Sequence, residues 1–274
     1  MSVVIQDGFT GIDEPIDHPR ICYEAASGTM AAFQTVSGAD PAWLNDGETW
    51  SVWQGSATNS SFTLTFPSTR TISYAALAAH DLGSQNSSVT LLGSTDGSNF
   101  SPISGFTAHN PEDDSAIVWL FAETSLRAIR WQLGGGTAPK SVAVAQAGSV
   151  LEMPRLSVFT GLPISESKQV RYRHQQSITG DVLGRAVEGA DLAFDLTVNN
   201  LPETFRSSSA SISWANFLRH VDNVGPFFIA AKPSSYPDDV AYARATDRPR
   251  FERQTPNALL SGSITFPCLG YAAP

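Results

Sequence analysis

Polar and apolar positions alternate with a period of two along residues 61–66, Ser-Phe-Thr-Leu-Thr-Phe, the pattern of a strand with one buried face. The same alternation returns at 128–133, Ala-Ile-Arg-Trp-Gln-Leu. Runs at 89–92 and 142–148 read as further strands, and the continuously apolar 117–121 as a buried one. Turn chemistry separates them: Asp96-Gly97 stands ahead of Phe100, and Gly134-Gly135-Gly136 follows the 128–133 run. Strands at this spacing predict a sandwich or jelly roll over residues 17–154. Residues 1–16 lack periodicity, and Pro15 and Pro19 disfavour helix, so this segment reads as an arm, either docked on a neighbouring subunit or frayed.

After Pro154 the texture changes. Residues 167–174, Ser-Lys-Gln-Val-Arg-Tyr-Arg-His, read as a polar, exposed strand or hairpin arm. Turns are expected around Gly184-Arg185 and Gly189-Ala190, and residues 193–198 alternate as a strand. Trp214, Phe217, Leu218 and Val221 recur at helical spacing and predict one helix over about 211–223, capped by Ser211 or Ser213 and ended by Gly225-Pro226. On that helix His220 falls beside the polar face and reads as a surface residue. Strands are expected at 227–230 and 259–266. The predicted fold class is therefore mainly β: an N-terminal jelly-roll sandwich (17–154), then a β-sandwich-like domain with one helix (155–274).

Composition narrows the function. Only 16% of the 274 residues are charged and 42% are hydrophobic, which suits a folded, turn-rich β protein better than a helical or disordered one. The formal net charge of -9 carries no basic cluster, so phosphate neutralisation, and with it nucleic-acid binding, is not expected. The opening Met-Ser-Val-Val-Ile-Gln-Asp lacks a signal-peptide pattern and no apolar run is long enough to span a bilayer, so folding in a cytoplasm and no membrane insertion are expected. Cys22 and Cys268, far apart in sequence, read as two buried reduced thiols.

Enzymatic motifs are missing from the chain. The five histidines (His18, His80, His109, His174, His220) show no metal-ligand spacing, and there is no G-x-S-x-G elbow, P-loop or H-E-x-x-H. His80-Asp81 are adjacent, so in a strand their side chains point apart. No pair of carboxylates is singled out for glycoside hydrolysis.

The order of motifs over roughly half the chain resembles the discoidin, or F5/8 type C, galactose-binding jelly roll. Asn45-Asp46-Gly47-Glu48-Thr49-Trp50 with Trp53, Gly93-Ser94-Thr95-Asp96-Gly97-Ser98-Asn99-Phe100, Arg127-Ala128-Ile129-Arg130-Trp131, and the closing Gly148-Ser149-Val150-Leu151-Glu152-Met153-Pro154 carry it. The cysteine pair that brackets many such domains is absent. The resemblance implies adhesion: loops at one end of the sandwich stack aromatic faces on sugars. Trp43, Trp53, His80 and Asn86 are the candidate ligand residues, with Trp50 and Trp131 assigned to the core. It also implies a structural Ca²⁺ held by Asn45, Asp46, Thr49 and Glu152; the residues by themselves read rather as a turn at Asp46-Gly47 and a solvated Glu152.

The flavour of the jelly roll, with His-Pro-Arg-Ile at residues 18–21 and Leu-Glu-Met-Pro-Arg at 151–155, resembles jelly rolls embedded in phage tail proteins. The strand–helix–Gly-Pro-Phe-Phe-Ile-Ala–strand order of the second half resembles tail-tip ring proteins, including distal tail proteins. That implies a non-enzymatic virion protein, assembled as a homo-oligomeric ring with other phage tail proteins and possessing a module that touches host-surface glycans. Residues 244–253 would form an interface salt-bridge segment or a solvated loop. A dedicated carbohydrate-binding adhesin, and a hydrolase with an accessory binding module, are the competing readings.

Overall fold

A computed structural model describes residues 2–137, 139–159, 163–176, 178–179, 182–253 and 261–272. The first half contains β1 (Val3–Ile5), β2 (Arg20–Cys22), β3 (Thr29–Phe33), a 3-10 turn at Pro41–Asn45, β4 (Trp53–Gly55), β5 (Ser60–His80), β6 (Ser87–Ser94), β7 (Ser101–Pro102), β8 (Ile117–Gly135) and β9 (Lys140–Gly148). The second half holds β10 (Leu151–Glu152), β11 (Ser157–Phe159), β12 (Lys168–Gln176), β13 (Val182–Pro202), α1 (Glu203–Ser207), α2 (Trp214–Asp222), β14 (Phe227–Lys232), β15 (Tyr236–Ala245), β16 (Arg250–Arg253) and β17 (Ser261–Tyr271). The molecule is mainly β, as its alternation predicts.

Two long strands build the jelly roll by crossing from one layer to the other. The first part of β5 pairs with β3 and with residues 128–133 of β8, while its second part pairs with residues 117–126 of β8 and with β9. The outer layer is therefore β3, early β5, late β8, β6 and β7; the inner layer is β4, β9, late β5, early β8 and β1. Between the layers lie Trp53, Phe62, Leu64, Ile72, Leu91, Trp119, Ile129 and Trp131. Phe62 packs its ring 5.2 Å from Trp53 and 5.3 Å from Trp131, so Trp131 is a core residue as expected.

The inner layer is buried on both faces. Along 74–78 successive side chains alternate between two cores: Ala75 and Leu77 enter the jelly-roll interior, whereas Tyr74, Ala76 and Ala78 face the second half of the chain. Val118 and Leu120 on β8 and Ala143 on β9 join that outward face, and Phe228, Ala230, Val240 and Tyr242 meet it from β14 and β15. The residues of β14 and β15 in turn alternate, with Phe227, Ile229, Ala241 and Ala243 packed against Trp214 and Phe217 of α2. The result is a stack of three sheet layers and a helix, with three apolar cores between them. The continuous burial explains why residues 72–80 show no polar alternation.

Several boundaries differ from those expected. The arm is an intrachain strand: β1 adds in parallel to β8 at Val118–Leu120. Residues 20–22 and 151–152, grouped by sequence with the jelly roll, are strands of the second sheet, where β2 bridges β10 and β14. Gly184-Arg185 and Gly189-Ala190 are not turns but lie within β13, which forms a long hairpin with β12 and bulges at Glu188. The helix is shorter than predicted; Ser213 caps it, its hydroxyl accepting from the Asn216 amide, and Trp214 and Phe217 are its buried anchors. His220 is half-buried rather than free on the surface: its Nε2 lies 2.7 Å from the Pro226 carbonyl and its ring packs on Tyr23. The final strand begins at Ser261; Leu259 and Leu260 lie outside the described residues.

Candidate functional site

The loop between the 3-10 turn and β4 is closed on itself and strapped to the second sheet. Asp46 accepts from the Glu48 amide through Oδ1 (2.8 Å) and from the Ser51 hydroxyl through Oδ2 (2.6 Å). This turn needs Gly47 at φ 79°, a left-handed conformation that favours glycine. From β15, the Tyr242 hydroxyl donates to the Gly47 carbonyl and Arg244 pairs with Glu48 at 3.0 Å. Burial pushes the Tyr242 phenol up, so it stays a proton donor.

Held in this way, the loop puts Trp50 into solvent, 79% exposed. The two residues before it, Glu48 and Thr49, line a groove of about 250 Å³ together with Asp191, Arg244, Leu269 and Tyr271 among others. Trp43, in the preceding 3-10 turn, is 36% exposed. An exposed indole presents an apolar face of the kind that stacks on a sugar ring.

The sequence-derived candidates are dispersed. Trp53 is fully buried, with its Nε1 donating to Thr35, so it has no face for a ligand; it and Trp50 exchange the roles expected of them. The distinguishing signal is local: Trp53 opens a paired strand, whereas Trp50 stands in the polar run Glu-Thr-Trp-Ser. His80 is a core residue whose burial lowers its pKa to about 4, and the Leu82 amide donates to its Nδ1 at 3.4 Å. Asn86 occupies a left-handed turn at φ 51° between β5 and β6. It sits with His80 at one end of the sandwich, while Asn45 and Asp46 lie against the middle of β9.

The proposed calcium ligands do not converge. Asn45 and Asp46 face Gln146 in one small cavity, Thr49 lines the groove it shares with Asp191 and Arg244, and Glu152 lines a separate cleft. Both carboxylates are already engaged, since Glu152 accepts from the amides of Ile12, Asp13 and Glu14 and pairs with Arg20 at 3.2 Å. Among the described residues no group of three or more His, Cys, Asp or Glu side chains could hold a metal ion. These four residues do not fit Ca²⁺.

The Asp96 motif is a folding device. Its Oδ1 accepts from the Ser98 and Asn99 amides, each at 2.8 Å, and the Asn99 amide bond in particular holds the carboxyl well below its usual range. Cys22 and Cys268 are buried free thiols, the latter pushed up to about 12 by burial.

No family model and no curated protein matches the sequence. Among solved structures, the chain is similar to a pectin-binding carbohydrate-binding module (17% identity, TM-score 0.40, 45% of this chain and 91% of the module). It is also similar to the family 32 carbohydrate-binding module of NanJ from C. perfringens in complex with galactose (16% identity, TM-score 0.40, 47% and 98%). A third is chitosan-binding module 1 of a chitosanase/glucanase from Paenibacillus sp. IK-5 (15% identity, TM-score 0.39, 45% and 96%). Each similarity spans less than half of this chain.

Proposed function

We propose that this chain is a non-catalytic structural protein of a phage tail tip whose jelly roll binds carbohydrate on the host surface. The observation that carries the binding half is Trp50: a large apolar side chain held in water by a loop with four anchoring contacts. A tryptophan left in solvent forgoes the stabilisation of burial, so its rigid display is suited to a ligand. Asp46, Asp96 and Glu152 hold backbone amides.

The assembly half rests on the layered stack. A jelly roll whose inner sheet shares a core with the second sheet is rigidly mounted, as a spacer in a virion would be. Copies of the chain and other tail proteins are the partners of this reading, and the virion its location.

A glycan array with the full-length protein tests the binding half. Wild type is expected to retain at least one glycan class, and Trp50→Ala to lose it. Absence of any retained glycan, or equal retention by Trp50→Ala, would sink it. Mass-spectrometric detection of the chain in purified tails tests the setting.

A further inference from the structure

A cleft of about 830 Å³ opens at the seam between the two halves, within the size range of pockets that hold a ligand. Its walls differ in chemistry. One is apolar, built from Phe205 of α1, Ile212 before α2 and Pro154, with the Phe205 ring 5.9 Å from that of Trp214. The other follows β5 where that strand crosses between layers, and there Ser68, Thr69 and Thr71 are exposed. The crossing leaves main chain unmatched. β5 pairs with β3 and β8 up to Thr65 and with β8 again from Arg70, and β9 joins it only from Tyr74. Among the described residues, 66–69 therefore match no strand in register. An unladdered stretch of strand facing an apolar wall suits an extended main chain better than a compact ligand.

Charge defines what that main chain carries. Asp13, Glu14, Glu24, Glu123 and Glu152 line the cleft against a single cation, Arg70. Three of these carboxylates are engaged within the chain: Glu24 with Arg70 at 2.6 Å, Glu152 with Arg20 at 3.2 Å and Glu14 with His18 at 3.4 Å. Asp13 and Glu123 are exposed, and among the described residues neither has an ion-pair partner. The open field of the cleft is therefore negative, and it selects a cationic occupant.

We propose that this cleft binds an extended peptide segment of a partner protein in which Lys or Arg alternates with apolar residues. Successive side chains of an extended segment point to opposite sides. The cations then meet Asp13 and Glu123, the apolar residues cover Phe205 and Ile212, and the main chain pairs along Ser68 and Thr69. The loop that displays Trp50 contributes nothing to this cleft, so the site holds whether or not the jelly roll retains a glycan.

The probe is a randomised decapeptide library on beads, offered to the full-length protein, with the strongest binder resynthesised for fluorescence polarisation and hydrogen exchange. Bound sequences are expected to be enriched in Lys and Arg over Asp and Glu, with apolar residues at alternate positions, and affinity to fall as salt rises. Asp13→Lys combined with Glu123→Lys, both at exposed positions, weakens binding by about tenfold or more. Added peptide raises amide protection in residues 66–71. No enrichment, an acidic or charge-indifferent consensus, binding unchanged in the lysine variant, or protection confined to other segments overturns the proposal. If the lysine variant unfolds, the exchange pattern of wild type with peptide still decides. Trp50→Ala keeps full peptide affinity; its loss would put the peptide on the Trp50 loop and overturn the assignment of the cleft. Protection of residues 66–71 by a glycan, with no peptide bound, would also overturn it.

Discussion

The hydroxyl of Tyr242 donates to the carbonyl oxygen of Gly47 across 2.7 Å, joining a jelly-roll loop to a strand nearly two hundred residues later. The Tyr242 ring belongs to the middle core and packs 4.7 Å, centroid to centroid, from Phe228. One side chain thus contributes to the apolar seam and fixes the loop that displays Trp50. Tyr242→Phe keeps the packing and loses the bond, for an expected cost of about 1 kcal/mol by urea denaturation. It also loosens the loop, so glycan retention falls with the stability.

The two halves should not survive separation. Removing residues 1–154 takes β2 and β10 out of the second sheet and bares Phe228, Ala230, Val240 and Tyr242. The expected outcome is an insoluble or unfolded fragment, while the intact chain melts in one cooperative transition. A soluble, cooperatively folding fragment 155–274 would show that the middle core is dispensable.

Trp50 and Trp53 give opposite phenotypes. Trp50→Ala leaves the melting temperature almost unchanged, because its side chain contacts mainly water. Trp53→Ala empties a site between Phe62 and the strands around it and costs about 3–5 kcal/mol. Calorimetry on both variants checks the assignment.

Glu152 organises the N-terminal segment. Glu152→Ala frees the amides of residues 12–14 and leaves the buried Arg20 without its carboxylate, a loss of about 3–5 kcal/mol. Limited proteolysis should cut the variant near residues 10–16 at protease levels that leave wild type whole.

His80 makes stability fall in mild acid. Its folded pKa of about 4 lies below the value near 6.5 expected of an unfolded chain, so the unfolded state binds more protons between those limits. Its contribution is complete above pH 6.5 and is lost as pH falls toward 4, by up to about 3 kcal/mol. Denaturation of wild type and His80→Gln across that range should converge at low pH; parallel curves would exclude the histidine as the cause.

The local rules determined much of this molecule. A period of two at 61–66 and 128–133 requires strands, because side chains alternate across a sheet. Trp214, Phe217, Leu218 and Val221 at helical spacing require one amphipathic helix. Asp96-Gly97 requires a turn, since an aspartate can accept the amides that follow it. What tertiary structure alone decided is which residues meet. Trp50 and Trp53 are three positions apart with equal hydrophobicity; Trp53 meets Phe62 in the core, whereas the loop that displays Trp50 meets Tyr242 and Arg244, from the far half of the chain, at Gly47 and Glu48. The apolar run at 72–80 has no alternation to read, because it is covered on one side by its own sandwich and on the other by β14 and β15. Glu152, close to the calcium candidates by motif order, is drawn to Arg20 because a buried guanidinium needs a carboxylate more than a surface turn does. Periodicity is a property of neighbouring residues, whereas burial depends on every element packed against them.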